Sequence, residues 1–296
     1  MNASEISKLF KEHNLKIKSY KKDKDSYIIT TDSGKYVVRK NNNRSYIFKY
    51  LNSRSFTYFP KILINDKYLV YEYIDNIDMP KEQRLNDLVD LVALLHSKTT
   101  YNKKISNDEY LNLYEDLNNN YNYLLEYYNE LINTIDDTIF MSPSYYLLAR
   151  NISLIFSSLN IGMNYLDEFK DKIQDLDSIR VCLIHNNLSL DNYVKNNKQY
   201  LLNWDKSKID IPIFDLYKLY NNENNIDFSS VIKRYEKKYP LNEIEKDLLI
   251  ILLLMPDKIE FNDSELNMCK KIRISLNKLS KTEEMIYKIK SQSKKD

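Results

Sequence analysis

The chain has 296 residues, of which 43% are hydrophobic and 29% charged, with a formal net charge of +2. That length can bury one large core or two lobes, and the composition is that of an ordinary soluble globular protein. A near-neutral balance gives no reason to expect a nucleic-acid or acidic-membrane partner, and two cysteines, Cys182 and Cys269, make no disulfide framework and fit a reduced, cytoplasmic setting. His13, His96 and His185 lie too far apart in sequence to form a metal-ligand motif. The first residues carry no apolar signal core. The longest apolar run, Leu248–Met255, is too short to span a bilayer and reads as a buried helix stopped by Pro256.

In chain order, residues 2–13 suit a short amphipathic helix with Ile6, Leu9 and Phe10 on one side. Residues 15–20, 26–31 and 35–40 are predicted as strands, with Asp32-Ser33-Gly34 as a hairpin turn. Two further strands are expected at residues 59–62 and 68–74. Residues 84–98 place Leu85, Leu88, Leu91, Val92 and Leu95 at helical spacing. Residues 107–135 and 145–169 form two long helical patterns rich in tyrosine, the second entered through Ser142-Pro143. Residues 205–210 read as a polar loop. Helices at 214–220, 231–239, 243–255 and 264–278 follow, and residues 288–296 read as a solvated basic tail.

Between these helices lies the most informative stretch, residues 183–216. Leu183 and Ile184 run as a buried strand into His185. Short strands at 193–195 and 199–202 flank Asn196-Asn197, a pair that tolerates the positive φ of a tight hairpin. The hairpin brings together His185, Asn187 and Asn192 on one side and Asn203, Trp204 and Asp205 on the other. Two polar loops joined by a rigid hairpin make a good site architecture.

His185-x-Asn187-x-x-x-x-Asn192, then Asn203-Trp204-Asp205 and Pro212-x-Phe214-Asp215-Leu216, resembles the catalytic core of the aminoglycoside phosphotransferase and choline kinase superfamily, nearest its spore-coat-associated kinase-like branch. The resemblance extends to Leu94-Leu95-His96-Ser97 and to Leu252-Leu253-Leu254-Met255-Pro256. It implies an α+β, two-lobed protein-kinase-like fold. A small antiparallel N-lobe would span residues 1–76 and a larger, mainly helical C-lobe residues 77–296, with a helical insert at about 107–176. It further implies ATP and Mg2+ as candidate ligands. The main chain at Glu72, Tyr73 and Ile74, running into the hinge at Asp75-Asn76, would meet adenine. Arg39 or Lys40 would meet phosphate, His185 and Asn187 would occupy the catalytic loop, and Asn192, Asn203 and Asp205 would occupy the metal positions.

The chain departs from that pattern at its mechanistic centre. Asn187 stands where the proton-accepting Asp belongs, and Asn203 where a metal-binding Asp belongs. Losing a general base costs about 10²–10⁴ in rate, which is about 3–5 kcal/mol of barrier. The first strand turn, residues 21–25, contains no glycine to let backbone approach a phosphate. No acidic residue occurs between Asp32 and Asp66, so the helix at 44–51 offers no carboxylate to Arg39 or Lys40. These departures favour a pseudokinase that binds a protein partner as a regulatory or scaffold module. The competing readings are an atypical phosphotransferase using Asp191 or Asp205 on a small hydroxyl or amine acceptor, and a tyrosine-rich structural component of a spore coat or envelope.

Overall fold

The computed structural model describes residues 3–23, 26–41, 45–174, 176–223 and 226–293, without the side chains of residues 3, 4, 45, 107, 108, 110 and 288–293. The expected turn at Lys24-Asp25, the start of the helix at Arg44 and the basic tail therefore fall wholly or partly outside the described residues. By contacts the chain divides into two compact units, Met1–Thr99 with His185–Lys208, and Thr100–Ile184 with Ile209–Asp296.

The first unit is built on a five-stranded antiparallel sheet of order β1-β2-β3-β5-β4. Its strands are β1 (Ile17–Asp23), β2 (Ser26–Thr31), β3 (Lys35–Lys40), β4 (Ile62–Asn65) and β5 (Tyr68–Glu72). Side chains alternate across a strand, so Tyr36 and Val38 of β3 share one face with Val70 of β5. Helix α1 (Ala3–Glu12) covers that face, packing Ile6 and Phe10 onto Ile29, Tyr36, Val38 and Val70. Gly34 holds φ at 145°, which a side chain rarely allows, and its carbonyl accepts from Thr31 N at 2.8 Å to close the β2–β3 turn.

Helices α2 (Ser45–Ser53) and α3 (Lys81–Thr99) complete the first part of the unit. The central stretch then enters as a 3-10 turn at Leu190–Asn192, a hairpin of β8 (Tyr193–Lys195) and β9 (Gln199–Leu201), and a second 3-10 turn at Trp204–Lys206. Several contacts fasten the hairpin to α3 and the sheet's connections. Arg84 donates to the Tyr193 carbonyl at 2.7 Å, Lys195 pairs with Asp87 at 2.7 Å, and Leu201 N donates to the Tyr58 carbonyl at 2.8 Å.

The second unit is mainly helical. It contains α4 (Asn107–Asp136), α5 (Pro143–Ile173), α6 (Ile213–Asn222), α7 (Phe228–Glu236), α8 (Glu243–Leu254) and α9 (Glu265–Ser293). A small sheet places β7 (Ser178–Ile184) between β6 (Tyr101–Lys104) and β10 (Lys208–Asp210). Ser142 caps α5 by accepting from Tyr145 N, and Glu265 accepts from Ser144 N and Oγ at 3.0 Å each. No helix among the described residues is long and apolar enough to cross a membrane.

The fold class is as expected, a small antiparallel sheet with a larger helical part. Several boundaries differ for physical reasons. β1 runs on through Lys21, Lys22 and Asp23 because their backbones pair with Ile28, Tyr27 and Ser26, whatever their polarity. The strand expected at 59–62 begins only at Ile62, after Pro60, which has no N–H to give a ladder. β6 and β10 fall in segments read as connections, since four and three polar-rich residues carry no periodic signal. α9 extends to Ser293, well past 278.

One small residue sits at a close approach of α4 and α5. Gly162 of α5 lies against Tyr121 of α4, which is fully buried and donates to the Ile251 carbonyl at 2.6 Å. A methyl group at 162 would overlap the Tyr121 ring. Gly162→Ala is therefore expected to lose about 1–3 kcal/mol through overpacking, even though alanine is the better helix former by about 1 kcal/mol. Denaturant titration of the two chains reads this directly. An unchanged midpoint would mean that Tyr121 moves aside at no cost.

Candidate functional site

A cavity of about 630 Å³ opens within the first unit. One wall is the sheet: Ile28 of β2, Val37 and Arg39 of β3, Tyr71 of β5, and Tyr73, Ile74 and Asn76 just beyond it. The opposite wall is the central stretch, with Ser189, Asp191, Asn192, Val194, Leu202 and Asn203. Asp23 and Ser26 close the end beside the β1–β2 turn.

Strand periodicity decides which of the expected residues reach this cavity. Val37 and Arg39 lie on one face of β3, and Val38 and Lys40 on the face that α1 covers. Lys40 is exposed and is not among the cavity residues. The same alternation on β5 sends Tyr71 and Tyr73 into the cavity and the Glu72 side chain away from it, on the Val70 face. Arg39, Tyr73, Ile74, Asn192 and Asn203 are thus brought together, and the side chains of Lys40 and Glu72 are not.

At the back of the cavity the polar groups form one directed chain. Arg39 can only donate, and it donates to Asn203 Oδ1 while pairing with Asp205 at 2.9 Å. With its oxygen turned to Arg39, Asn203 must present its NH₂ to Asn192 Oδ1. Asn192 then donates Nδ2 to the Asn187 backbone carbonyl at 2.6 Å. The chain begins at an obligate donor and ends at an obligate acceptor, so each amide has one satisfied orientation. Asn203 itself sits in the left-handed region at φ 63°, which asparagine tolerates better than most residues. Tyr71 adds a further contact to Arg39. Burial raises its phenol above the usual range, and Arg39, hydrogen-bonded to it, works in the opposite direction.

His185 takes no place in the cavity wall. It is fully buried, with Nε2 at 2.7 Å from the Leu202 carbonyl and its ring edge-on to Trp204 at 4.9 Å. A carbonyl only accepts, so Nε2 carries the proton. Trp204 in turn donates to the Leu201 carbonyl at 2.9 Å and meets Phe56 at 6.1 Å. His185 therefore positions the two loops relative to each other. Asn187 is half-buried and enters the network through its main-chain carbonyl.

The donor set at the expected metal position does not fit a divalent cation. Both ends of the Asn203 amide and the oxygen of Asn192 are occupied by neighbouring side chains, and the charge beside Asp205 is already the Arg39 guanidinium. Among the described residues no three His, Cys, Asp or Glu side chains cluster as metal ligands. Sequence reasoning missed Tyr71 and the wall residues Ile28, Val37, Val194 and Leu202. The period-2 pattern of β2, β3 and β5 was the available signal for the sheet residues.

No protein-family model matches the sequence. No curated protein matches it at a significant level. Solved structures do resemble its fold. An aminoglycoside phosphotransferase from Alicyclobacillus acidocaldarius superposes with a TM-score of 0.72 at 9% identity, over 95% of this chain and 93% of that one. A choline kinase from Streptococcus pneumoniae superposes with a TM-score of 0.50 at 14% identity, over 93% and 98%. The chain shares the kinase-like fold of these solved structures. At these identities the likeness concerns architecture, and the site's chemistry rests on the residues described above.

Proposed function

We propose that the chain is a pseudokinase, a kinase-like module that binds a protein partner and does not carry out metal-dependent phosphoryl transfer. The observation that carries this reading is the placement of Arg39 on Asn203 and Asp205, a built-in cation beside the expected metal position. Phosphoryl transfer in such folds needs metal ions to neutralise charge on the phosphates and a base to receive the acceptor's proton. Here Asn187 cannot take a proton near neutral pH, and the Asn203 and Asn192 amides are engaged by Arg39, by each other and by the Asn187 carbonyl. The lobes divide at residue 76 in this reading, and the helical insert at about 107–176 supplies the binding surface. The connection between α4 and α5 supports that role. Its Ile139 and Phe140 are each 89% exposed, an unusual display of large apolar side chains.

A thermal-shift titration with ATP, with and without Mg2+ or Mn2+, tests the reading. A ligand at a hundred times its Kd stabilises by about 2.7 kcal/mol, which is readily seen. The expected result is no metal-dependent shift. A clear one would overturn the pseudokinase reading. It would favour an atypical phosphotransferase, whose support is Asp191, a carboxylate in the cavity wall. In that case Asp205→Ala should abolish turnover, and unchanged turnover would remove Asp205 from the mechanism.

A further inference from the structure

We infer that the outer edge of β1 is a docking site for an acidic, extended segment of a partner protein, which joins the first unit's sheet as an added strand. This goes beyond the pseudokinase reading and does not depend on it. β1 is the outermost strand of its sheet and pairs with β2 along one side. In an antiparallel ladder alternate residues turn their N–H and C=O groups to the other side, where a new strand can take them up. Every β1 side chain from Lys18 to Asp23 is exposed, so neither face of that stretch is covered.

The charges name the partner's chemistry. Residues 16–22 read Lys-Ile-Lys-Ser-Tyr-Lys-Lys, four cations with no carboxylate among them. Among the described residues, Lys18 is the one of the four that makes an ion pair, with Asp32 at 2.9 Å, and both side chains of that pair are exposed. The register sends the last two lysines to opposite faces. Lys22 stands across from Tyr27, on the face that α1 packs, and Lys21 across from Ile28, on the cavity face. An added strand carries its own side chains alternately to those two faces, so consecutive acidic residues would each meet a lysine. A second copy of β1 is a poor occupant, because lysines would then face lysines across the ladder. Edge lysines deter apolar strands as well, and opposite charge lifts that bar. β4, at the other edge of the sheet, has no charged residue in Ile62–Asn65, so the basic character belongs to the β1 edge.

Fluorescence anisotropy of the full chain at low ionic strength tests this with a labelled peptide, Thr-Val-Glu-Glu-Val-Glu-Glu-Val-Thr. The comparators are the same peptide with lysine for glutamate, the acidic peptide N-methylated throughout its backbone, and an oligothymidylate. The acidic peptide is expected to bind at least about tenfold more tightly than its N-methylated form, which keeps the charge but cannot donate to the ladder. The lysine peptide should not bind. Lys21→Glu together with Lys22→Glu should weaken the acidic peptide by about tenfold. Binding should also slow amide exchange within residues 18–22. Equal binding of the N-methylated peptide or of the oligothymidylate would make the edge a general anion-binding surface and overturn the inference. So would failure of the acidic peptide to bind, or binding that the charge reversal leaves unchanged. The peptide comparisons use the unaltered chain, so they decide the matter even where the reversed variant does not fold.

Discussion

Glu245→Ala is expected to destabilise the chain by about 3 kcal/mol, the lower end of the range for removing one partner of a buried ion pair, because Arg180 keeps some contact with water. Glu245 is 3% exposed and holds Arg180 through both carboxylate oxygens, with Arg180 Nε at 2.9 Å from Oε1. The same carboxylate closes the capping box of α8. It accepts from Asn242 N at 3.0 Å, and Glu245 N donates to Asn242 Oδ1 at 2.8 Å. Alanine would remove the carboxylate's half of the capping box and the counter-charge together, while the backbone N–H at 245 still donates to Asn242 Oδ1. Arg180 would keep the Pro240 carbonyl at 2.7 Å and the Tyr239 ring at 4.4 Å, neither of which neutralises it. The pair ties β7 to α8, so the loss should appear as a lower denaturation midpoint for the second unit. Glu245→Gln keeps the shape and part of the cap and should cost less than alanine. If alanine and glutamine cost the same, packing and not charge holds this contact.

The paired substitution Asn187→Asp and Asn203→Asp is expected to create metal-dependent ATP binding where the parent has none, with ATP affinity in Mg2+ at least about tenfold above that in EDTA, or about 1.4 kcal/mol. The physical reason lies in the directed chain of hydrogen bonds. A carboxylate at 203 still accepts from Arg39 but cannot donate to Asn192, so the Asn192 oxygen is released as a metal ligand. Charge shifts in the same direction. Arg39 and Asp205 balance each other, and two new carboxylates add to the negative charge of Asp23 and Asp191 in the cavity wall, which favours a divalent cation. Calorimetry with Mg2+ present and absent decides it. A double variant that binds ATP equally in both conditions would show that Arg39 keeps the metal out even against the added charge.

The antiparallel N-terminal sheet, the long helices and the capped start of α5 were legible in the sequence because they depend on local rules. Alternating β-formers from Tyr27 to Val38, a positive-φ glycine at 34, and apolar residues every three or four positions along residues 84–98, 107–135 and 145–169 each act over a few residues. The asparagines at 187 and 203 were also plain, since residue identity alone says that neither side chain carries charge or takes a proton near neutral pH. By itself the sequence thus determined the kinds of element and the neutral amides at the centre of the site. It could not place Arg39 on Asn203 and Asp205, 164 positions apart in the first case, because such a pairing depends on how β3 and the central hairpin meet. Nor could it choose Arg39 over Lys40, which α1 decides by covering one face of β3. Tertiary structure settled which neighbours satisfy each polar group, and so turned a run of asparagines into a closed network with a fixed cation.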